Sequence, residues 1–596
     1  MNSRRSEPKC IKNPLKVKKR SYDMIILALI VIFAIVLRLI GILWRPISND
    51  EASHIYFGIQ ALRGRYVYDP EYHGPLEHYV IAFILLVFRK LIMSDPFVIV
   101  WSIRLAYAAF SIALIVVVYL LFRDYLGRLG AAIAALLFAV SPEFLYYSRF
   151  AHEDIMSVSL AVITFIFFCK LYASRNIKYV YGFLISLSLL FTTKENWVLY
   201  IGIWSSYLII VILVEEFLLR EKVDTLFSRL FRFIYDVFIL EEFTEDGQRV
   251  YRLRKRELGH FLLALLIAIL VAFALYSSFF THPEKFITAI MGPFHWIERH
   301  HAPRIVGPFY YWFDRIWLYN LFLIPGVILA IKRNKDYLSE LLLWWFVVSF
   351  IGYSYMQEKL PRLMMHITAP AVLLTSKYLN DLFTEFWKSV RGKSSKNLRI
   401  FVLTCVFITL LAISSYQSVL LNYVNYDDVR EPLIYARLTR GWQDVYRTIE
   451  NIYSEKGSVR ILIIWDKGDY GLWPILFWLY YVEKDFRGVN VTYYKEYSTY
   501  ALSSPQVHTY DVIICYFTKD LGSIRGFKLM GRYTVLKWVF HEKWSTQTTL
   551  EGFIKDFSHY LDPKFYFLRE CDPEKITIWD YWAAVYVQEG DYEVRT

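Results

Sequence analysis

The sequence predicts a polytopic α-helical membrane protein with a soluble α/β segment at its C-terminal end. Three observations predict it. Of 596 residues, 56% are hydrophobic and 18% aromatic, above the roughly 45–50% apolar share of soluble domains. The charged share is still 20% and mean hydropathy is +0.33, so charge is segregated into loops rather than missing. Apolar runs near bilayer length recur until about residue 420, and from about Tyr423 the composition turns to that of a soluble domain.

The net charge of +12 would suit a nucleic-acid partner in a soluble chain. In this setting basic cytoplasmic loops facing anionic lipid account for it, and no nucleic-acid partner is expected. Residues 1–23 are a basic cytoplasmic N-terminus that includes Arg4, Arg5, Lys9, Lys12, Lys16, Lys18, Lys19 and Arg20. The apolar run after it, 24–44, is too long for a cleavable signal core and reads as a signal anchor. A first outer loop spans 45–96. Its apolar piece, His78–Met93, is short for a span and contains Arg89-Lys90, so it reads as a helix lying in the interface.

Further spans are expected near 98–121, 131–148, 155–172, 179–193, 197–214, 259–280, 315–331, 338–355, 365–380 and 400–420, about eleven in all. The loops assigned inside hold about 29 Lys and Arg against about 13 outside. That bias puts the N-terminus in the cytoplasm of a plasma-membrane protein. The transmembrane module is thus 24–422, with a cytoplasmic insert at 215–258 and a polar basic linker at 388–399. Residues 423–596 form an extracytoplasmic α/β domain. Its β-branched runs Val459–Trp465, Val489–Tyr494 and Val512–Tyr516 read as buried strands, and Gly471–Tyr481 as a helix. The five cysteines show no CxxC spacing. Cys515 and Cys571 share the C-terminal domain, which leaves room for one disulfide there. Asn490-Val491-Thr492 is a glycosylation sequon.

The chemistry gathers on one side of this topology. Ser48-Asn49-Asp50-Glu51-Ala52-Ser53-His54 begins where the first apolar run ends, and it continues into YVYDPEYHGPL, which contains His73. Arg149, His152, Glu153 and Asp154 lie between the third and fourth spans. Lys194-Glu195 sits at the next outer turn. The loop 281–314 carries His295, Trp296, His300, His301, Arg304, Tyr310, Tyr311 and Trp312. Lys359, Arg362 and His366 lie between two late spans. Ionisable residues at membrane depth mark a functional site by default.

Together they supply what transfer of a sugar from a polyprenyl-phosphate carrier requires. A carboxylate takes the proton of an acceptor hydroxyl, and cations hold the phosphate on which negative charge develops. Asp50 is the candidate base. Aromatic faces such as Tyr310 and Tyr311 can pack on a sugar ring or on lipid. Arg149, Lys359 and Arg362 also fit snorkelling interface anchors. Asp50 and His54 together could hold a divalent cation, whereas the histidines of 281–314 match no ligand spacing.

SNDEASHIYF…YDPEYHGPLEHY, SRFAHED, GPFYYW and EKLPRLMMHITAP, in that order and on one side, resemble the GT-C superfamily of integral-membrane glycosyltransferases. They are similar to its protein O-mannosyltransferase and aminoarabinose transferase branch. The closest look is to archaeal members associated with lipid-linked glycan flipping. The resemblance covers roughly residues 20–420. It implies Asp50, with Glu51 beside it, as the acceptor-activating acid and Glu153 or Asp154 as a second acid. It implies Arg149, Lys194, Arg304, Lys359 or Arg362 near the donor phosphate. His54, His73, His152, Tyr310, Tyr311 and His366 are then candidate acceptor or sugar contacts. The partners it implies are a polyprenyl-phosphate-linked sugar and a glycan, lipid or protein acceptor. A non-catalytic role in lipid-linked oligosaccharide flipping is the alternative.

Overall fold

The computed structural model describes residues 21–588, apart from 46, 216–225, 244–248, 300–306, 334–335, 357–358, 392–396, 435–437, 466–472, 497–501, 503–504, 518–522, 541–552, 555–556, 559–560 and 570–576. Arg304, His300, His301 and Cys571 fall outside the described residues, as do residues 1–20 and two stretches of the insert, 216–225 and 244–248.

The helices that matter here are α1 (Ser21–Leu39), α2 (Asn49–Leu62), α3 (Pro75–Val87), α4 (Val98–Leu121), α5 (Arg128–Val140), α6 (Glu153–Ser174), α7 (Lys178–Phe191), α8 (Trp197–Leu213), α9 (Lys255–Tyr276), α10 (Glu284–Arg299), α11 (Tyr311–Tyr319), α12 (Leu323–Arg333), α13 (Tyr337–Tyr355), α14 (Met364–Val390), α15 (Asn397–Val419) and α16 (Gly441–Lys456). Among the described residues six are long and apolar enough to cross a bilayer: Tyr22–Leu39, Val98–Leu121, Glu153–Ser174, Lys255–Tyr276, Tyr337–Tyr355 and Ile400–Val424. A seventh counts if Tyr311–Tyr319 and Leu323–Lys332, bent by 104° at Asn320, act as one. The protein is an integral membrane protein.

The other expected spans differ for identifiable reasons. The segment 131–148 breaks at Ser141-Pro142, because proline cannot continue a helix, which leaves α5 with 13 residues. Helices α7 and α8 have 14 and 17 residues, about 20–25 Å of rise against about 30 Å of hydrocarbon. The segment 365–380 belongs to the 27-residue α14, whose run Met364–Ser376 is wholly buried among other helices. Residues 78–93 split at Phe88 between α3 and a short helix, Arg89–Ser94. Helix α3 buries His78, Ile81 and Leu85 and exposes Phe83, Leu86 and Val87, as an interfacial helix should.

Two buried arginines cross-tie the helices. Arg38 of α1 donates to Ser111 Oγ at 2.7 Å and to the Phe138 and Ala139 carbonyls at the end of α5. Arg104 of α4 reaches the Ile42 and Arg45 carbonyls at 2.6 and 3.0 Å and the carboxylate of Glu51. Each satisfies carbonyls that no helix bond serves.

The C-terminal segment holds a five-stranded sheet of order β4-β3-β5-β7-β6, with β1 (Ile239–Phe243) and β2 (Arg249–Leu253) forming a separate antiparallel ribbon. The strands β3 (Val459–Trp465), β4 (Val491–Glu496) and β5 (Val512–Phe517) are parallel. The strands β6 (Phe527–Phe540) and β7 (Thr577–Gln588) add an antiparallel edge. Sequence reading finds the first three from their β-branched apolar runs, β4 among them although it is an edge strand, and misses β7 and β6, the latter broken up by Lys528, Arg532 and Lys537. The expected helix at 471–481 is Trp473–Phe477, followed by wide turns to Phe486. Cys515 is a free thiol buried in β5, and Cys571, the other half of the possible disulfide, lies outside the described residues.

This segment is pinned to the helices from outside α2. Phe477 packs on Tyr56, and Trp478 on Phe97 and Tyr446. Beneath it Arg569 pairs with Glu431 at 3.1 Å and donates to Gln417 Oε1 at 2.5 Å, while Tyr319 OH also donates to Glu431. Both ions are essentially without exposure. Arg569→Met strands the Glu431 carboxylate and is expected to cost about 3–5 kcal/mol, read as a lowered melting temperature in detergent. The double change with Glu431→Met should recover part of it.

Candidate active site

The N-terminus of α6 brings Glu153 and Asp154 together, each fully buried. Adjacent carboxylates there are favoured by the helix dipole, but burial demands counter-charge. Four groups supply it. Lys194 Nζ, from the turn between α7 and α8, donates to Glu153 Oε1 at 2.7 Å and Asp154 Oδ1 at 2.8 Å. Arg362 Nε, just before α14, lies 2.8 Å from Asp154 Oδ2. His366 Nε2, on α14, is 2.8 Å from Asp154 Oδ1. His152 Nδ1 sits 2.7 Å from Glu153 Oε2 and 3.1 Å from Asp154 Oδ2.

Asp50 stands at the rim of this cluster. Its side chain keeps 31% of its surface exposed, with Oδ2 at 3.2 Å from His152 Nε2 and 3.7 Å from Arg362 Nη1. Burial alone would raise the Asp50 carboxyl. The hydrogen bond from His152 and the charges of His152 and Arg362 outweigh it and hold Asp50 well below the usual carboxylate range. Burial and Arg362 both act to lower His152, yet Glu153, Asp154 and Asp50 lift it to about 10. The pair therefore presents an ionised carboxylate backed by an imidazolium at neutral pH.

Glu51, one residue on, does different work. It closes a capping box with Ser48, and its oxygens take Arg104 Nε and Nη2 at 2.8 Å each and the Ala151 amide at 2.9 Å. It thereby joins α2, α4 and the loop before α6, and the orientation of Asp50 follows from it.

The HGPL turn forms the opposite wall. The Gly74 and Leu76 amides donate to the Thr193 and Thr192 carbonyls at 3.0 Å each. A Cβ on Gly74 would stand 2.2 Å from the Thr192 oxygen, so only glycine permits this approach. His73, in a left-handed conformation at φ +63°, is placed between Glu195 Oε2 at 2.9 Å and Glu153 Oε1 at 3.2 Å. Its ring stacks on Trp296 of α10, centroids 4.9 Å apart. His54 of α2 faces Glu153 Oε2 through Nε2 at 3.6 Å.

Other expected residues lie elsewhere. Arg149 donates to the Asn422 and Ile40 carbonyls at 2.9 and 2.5 Å and lies over Tyr423, binding α1 to the end of α15. Lys359 donates to the Tyr353, Ser354 and Met356 carbonyls, which closes the end of α13; burial lowers its ammonium to about 8. Tyr311 lies under the Arg315 guanidinium, and Tyr310 packs on Phe309 and Phe553. Among the described residues two groups place ligand atoms close enough for a metal: His54, Glu77 and His78, and His54, His152 and Glu153. Asp50, named above with His54 as a possible cation pair, belongs to neither.

Arg104, Glu77, His78 and Glu195 were missed as site residues. Arg104 had a signal, since a lone arginine inside an apolar helix needs a buried partner. Glu77 and His78 stand in the quoted motif, but their face of α3 is set only by packing on α2.

Residues 72–233 match the dolichyl-phosphate-mannose-protein mannosyltransferase family. A curated relative, an undecaprenyl phosphate-alpha-4-amino-4-deoxy-L-arabinose arabinosyl transferase of Proteus mirabilis, is 31% identical over 143 residues. That match spans 22% of this chain and 26% of the relative's length. The crystal structure of ArnT from Cupriavidus metallidurans bound to undecaprenyl phosphate superposes with a TM-score of 0.53 at 14% identity, over 86% of this chain and 97% of that one. The chain has the GT-C membrane glycosyltransferase fold. The oligosaccharyltransferase AglB from Archaeoglobus fulgidus also aligns, with a TM-score of 0.48 at 14% identity over 83% of this chain and 69% of that one.

Within this GT-C fold, Arg104→Met should leave Glu51 charged and unpaired, costing about 3–5 kcal/mol. A melting measurement beside Glu51→Gln, which removes that charge, should show the smaller loss for Glu51→Gln.

Proposed function

We propose that this protein is a membrane glycosyltransferase that moves a sugar from a polyprenyl-phosphate carrier, of dolichyl or undecaprenyl type, to an acceptor hydroxyl or amine at the extracytoplasmic face. The observation that carries the reading is the contrast among the acids. Glu51, Glu153 and Asp154 are closed off by bonded cations, while Asp50 keeps an open carboxylate edge at the rim. The GT-C fold and the matched mannosyltransferase segment support the same reaction class.

In this reading Asp50 takes the acceptor proton as the acceptor atom attacks the anomeric carbon, and the bond from that carbon to the phosphate oxygen breaks. One displacement gives inversion. Arg362, 3.7 Å from the open carboxylate and the only one of its two neighbouring cations with a planar fork, receives the carrier phosphate, whose oxygens suit that fork. An anion held there also draws off positive charge that keeps Asp50 weakly basic, which couples donor binding to base strength. Glu153 and Asp154 fix Lys194, Arg362 and His366 in place. Glu51 positions Asp50, while Arg149 and Lys359 hold the frame. Arg304 and the Tyr310–Tyr311 face belong to the carrier's approach. A cytoplasmic N-terminus and an extracytoplasmic 423–596 in the plasma membrane are part of this proposal. The positive-inside bias supports it.

Asp50→Asn in vesicles supplied with labelled polyprenyl-phosphate sugars and a crude membrane acceptor pool should lower transfer by about 10²–10⁴-fold, with the melting temperature close to that of the parent. Unchanged transfer would remove Asp50 from the mechanism. Absence of transfer by the parent, together with protein-dependent crossing of lipid-linked glycan, would favour a flipping role instead.

A further inference from the structure

Behind the catalytic rim, α2 and α3 bring two histidines and a glutamate to one point. His54 Nδ1 lies 3.3 Å from Glu77 Oε2 and 3.3 Å from His78 Nε2. All three residues are buried, at 4%, 0% and 0% exposure. Metal–ligand distances of about 2.0–2.1 Å at a tetrahedral centre put ligand atoms about 3.3–3.4 Å apart. Glu77 Oε2 faces this point and takes no hydrogen bond. The contacts recorded for Glu77 are with His54 and, through its other oxygen, the Tyr107 hydroxyl. A carboxylate so enclosed requires positive charge.

The outer contacts are those that orient metal ligands. The second nitrogen of His78, Nδ1, is 3.0 Å from Tyr66 OH. The second nitrogen of His54, Nε2, faces Glu153 Oε2 at 3.6 Å. Tyr107 OH holds the second oxygen of Glu77. Each of the three ligands thus has its remaining polar atom directed by a neighbour, as in carboxylate–histidine–zinc arrangements. A purely hydrogen-bonded cluster explains less. One Nδ1 proton of His54 cannot serve both Glu77 Oε2 and His78 Nε2 well, whereas one cation serves all three atoms.

We propose that His54, Glu77 and His78 bind a single divalent transition-metal ion of zinc type, chosen by the two imidazoles and one carboxylate. The ion locks α2 against α3 and turns His54 Nε2 toward Glu153. It therefore positions the acid cluster and leaves one coordination position over. The inference does not depend on sugar transfer being the reaction.

The test uses the full-length protein in lipid nanodiscs, stripped with a chelator and titrated with Co²⁺ as the probe. The parent should take up one ion per chain with the intense visible d–d absorption of a tetrahedral centre. His78→Cys should add a thiolate-to-cobalt charge-transfer band, and Tyr107→Phe should weaken uptake about 10–100-fold. Glu77→Gln should abolish stoichiometric uptake while still melting cooperatively. The proposal is overturned by a folded parent that takes up no Co²⁺, by His78→Cys without the new band, or by uptake that survives Glu77→Gln. Uptake lost in His152→Ala but kept in Glu77→Gln also overturns it, since the ion would then sit between His54, His152 and Glu153.

Discussion

The constraint on which the rest of the structure depends is the burial of Glu153 and Asp154 at the head of a membrane helix. Two carboxylates without solvent cannot stay ionised alone, so cations must come to them from distant parts of the chain. Lys194, Arg362, His152 and His366 do so from three different segments. The ends of α6, α7, α8 and α14 that meet at this cluster are thereby held together. The same requirement recurs outward, where Glu51 recruits Arg104 and Glu431 recruits Arg569. Each pair is a poor source of net stability and a strong source of register, because only one arrangement satisfies it.

This lattice of paired charges explains why Asp50 differs from its neighbours. It shares His152 and Arg362 with the buried acids but is not enclosed by them. A carboxylate at such a rim is ionised, oriented and reachable, which is the condition general base chemistry needs. The GT-C fold provides the frame, and the outer loops provide the chemistry.

The legibility of the site followed the same division. Asp50, Glu153, Asp154, Lys194 and Arg362 stood out because charge at a membrane boundary is expensive and therefore informative. Arg149 and Lys359 gave the same signal for another reason: they satisfy helix-end carbonyls, and sequence cannot distinguish a cation seeking phosphate from one seeking backbone oxygens. Tyr310 and Tyr311 stand out as an aromatic run; Arg315 meets Tyr311 by i,i+4 spacing within α11, whereas Phe553 reaches Tyr310 only through the tertiary fold.

The sequence by itself determined that the chain is helical and membrane-bound, that its ionisable residues collect on one side, and where three of the five C-terminal sheet strands run. Those features rest on hydropathy and periodicity, which are properties of contiguous residues. Tertiary structure alone decided that the run Met364–Ser376 of α14 is buried among other helices, that Glu51 meets Arg104 and that His54 meets Glu77 and His78. These contacts join residues 53 and about two dozen positions apart, and no local rule encodes which buried charge finds which partner.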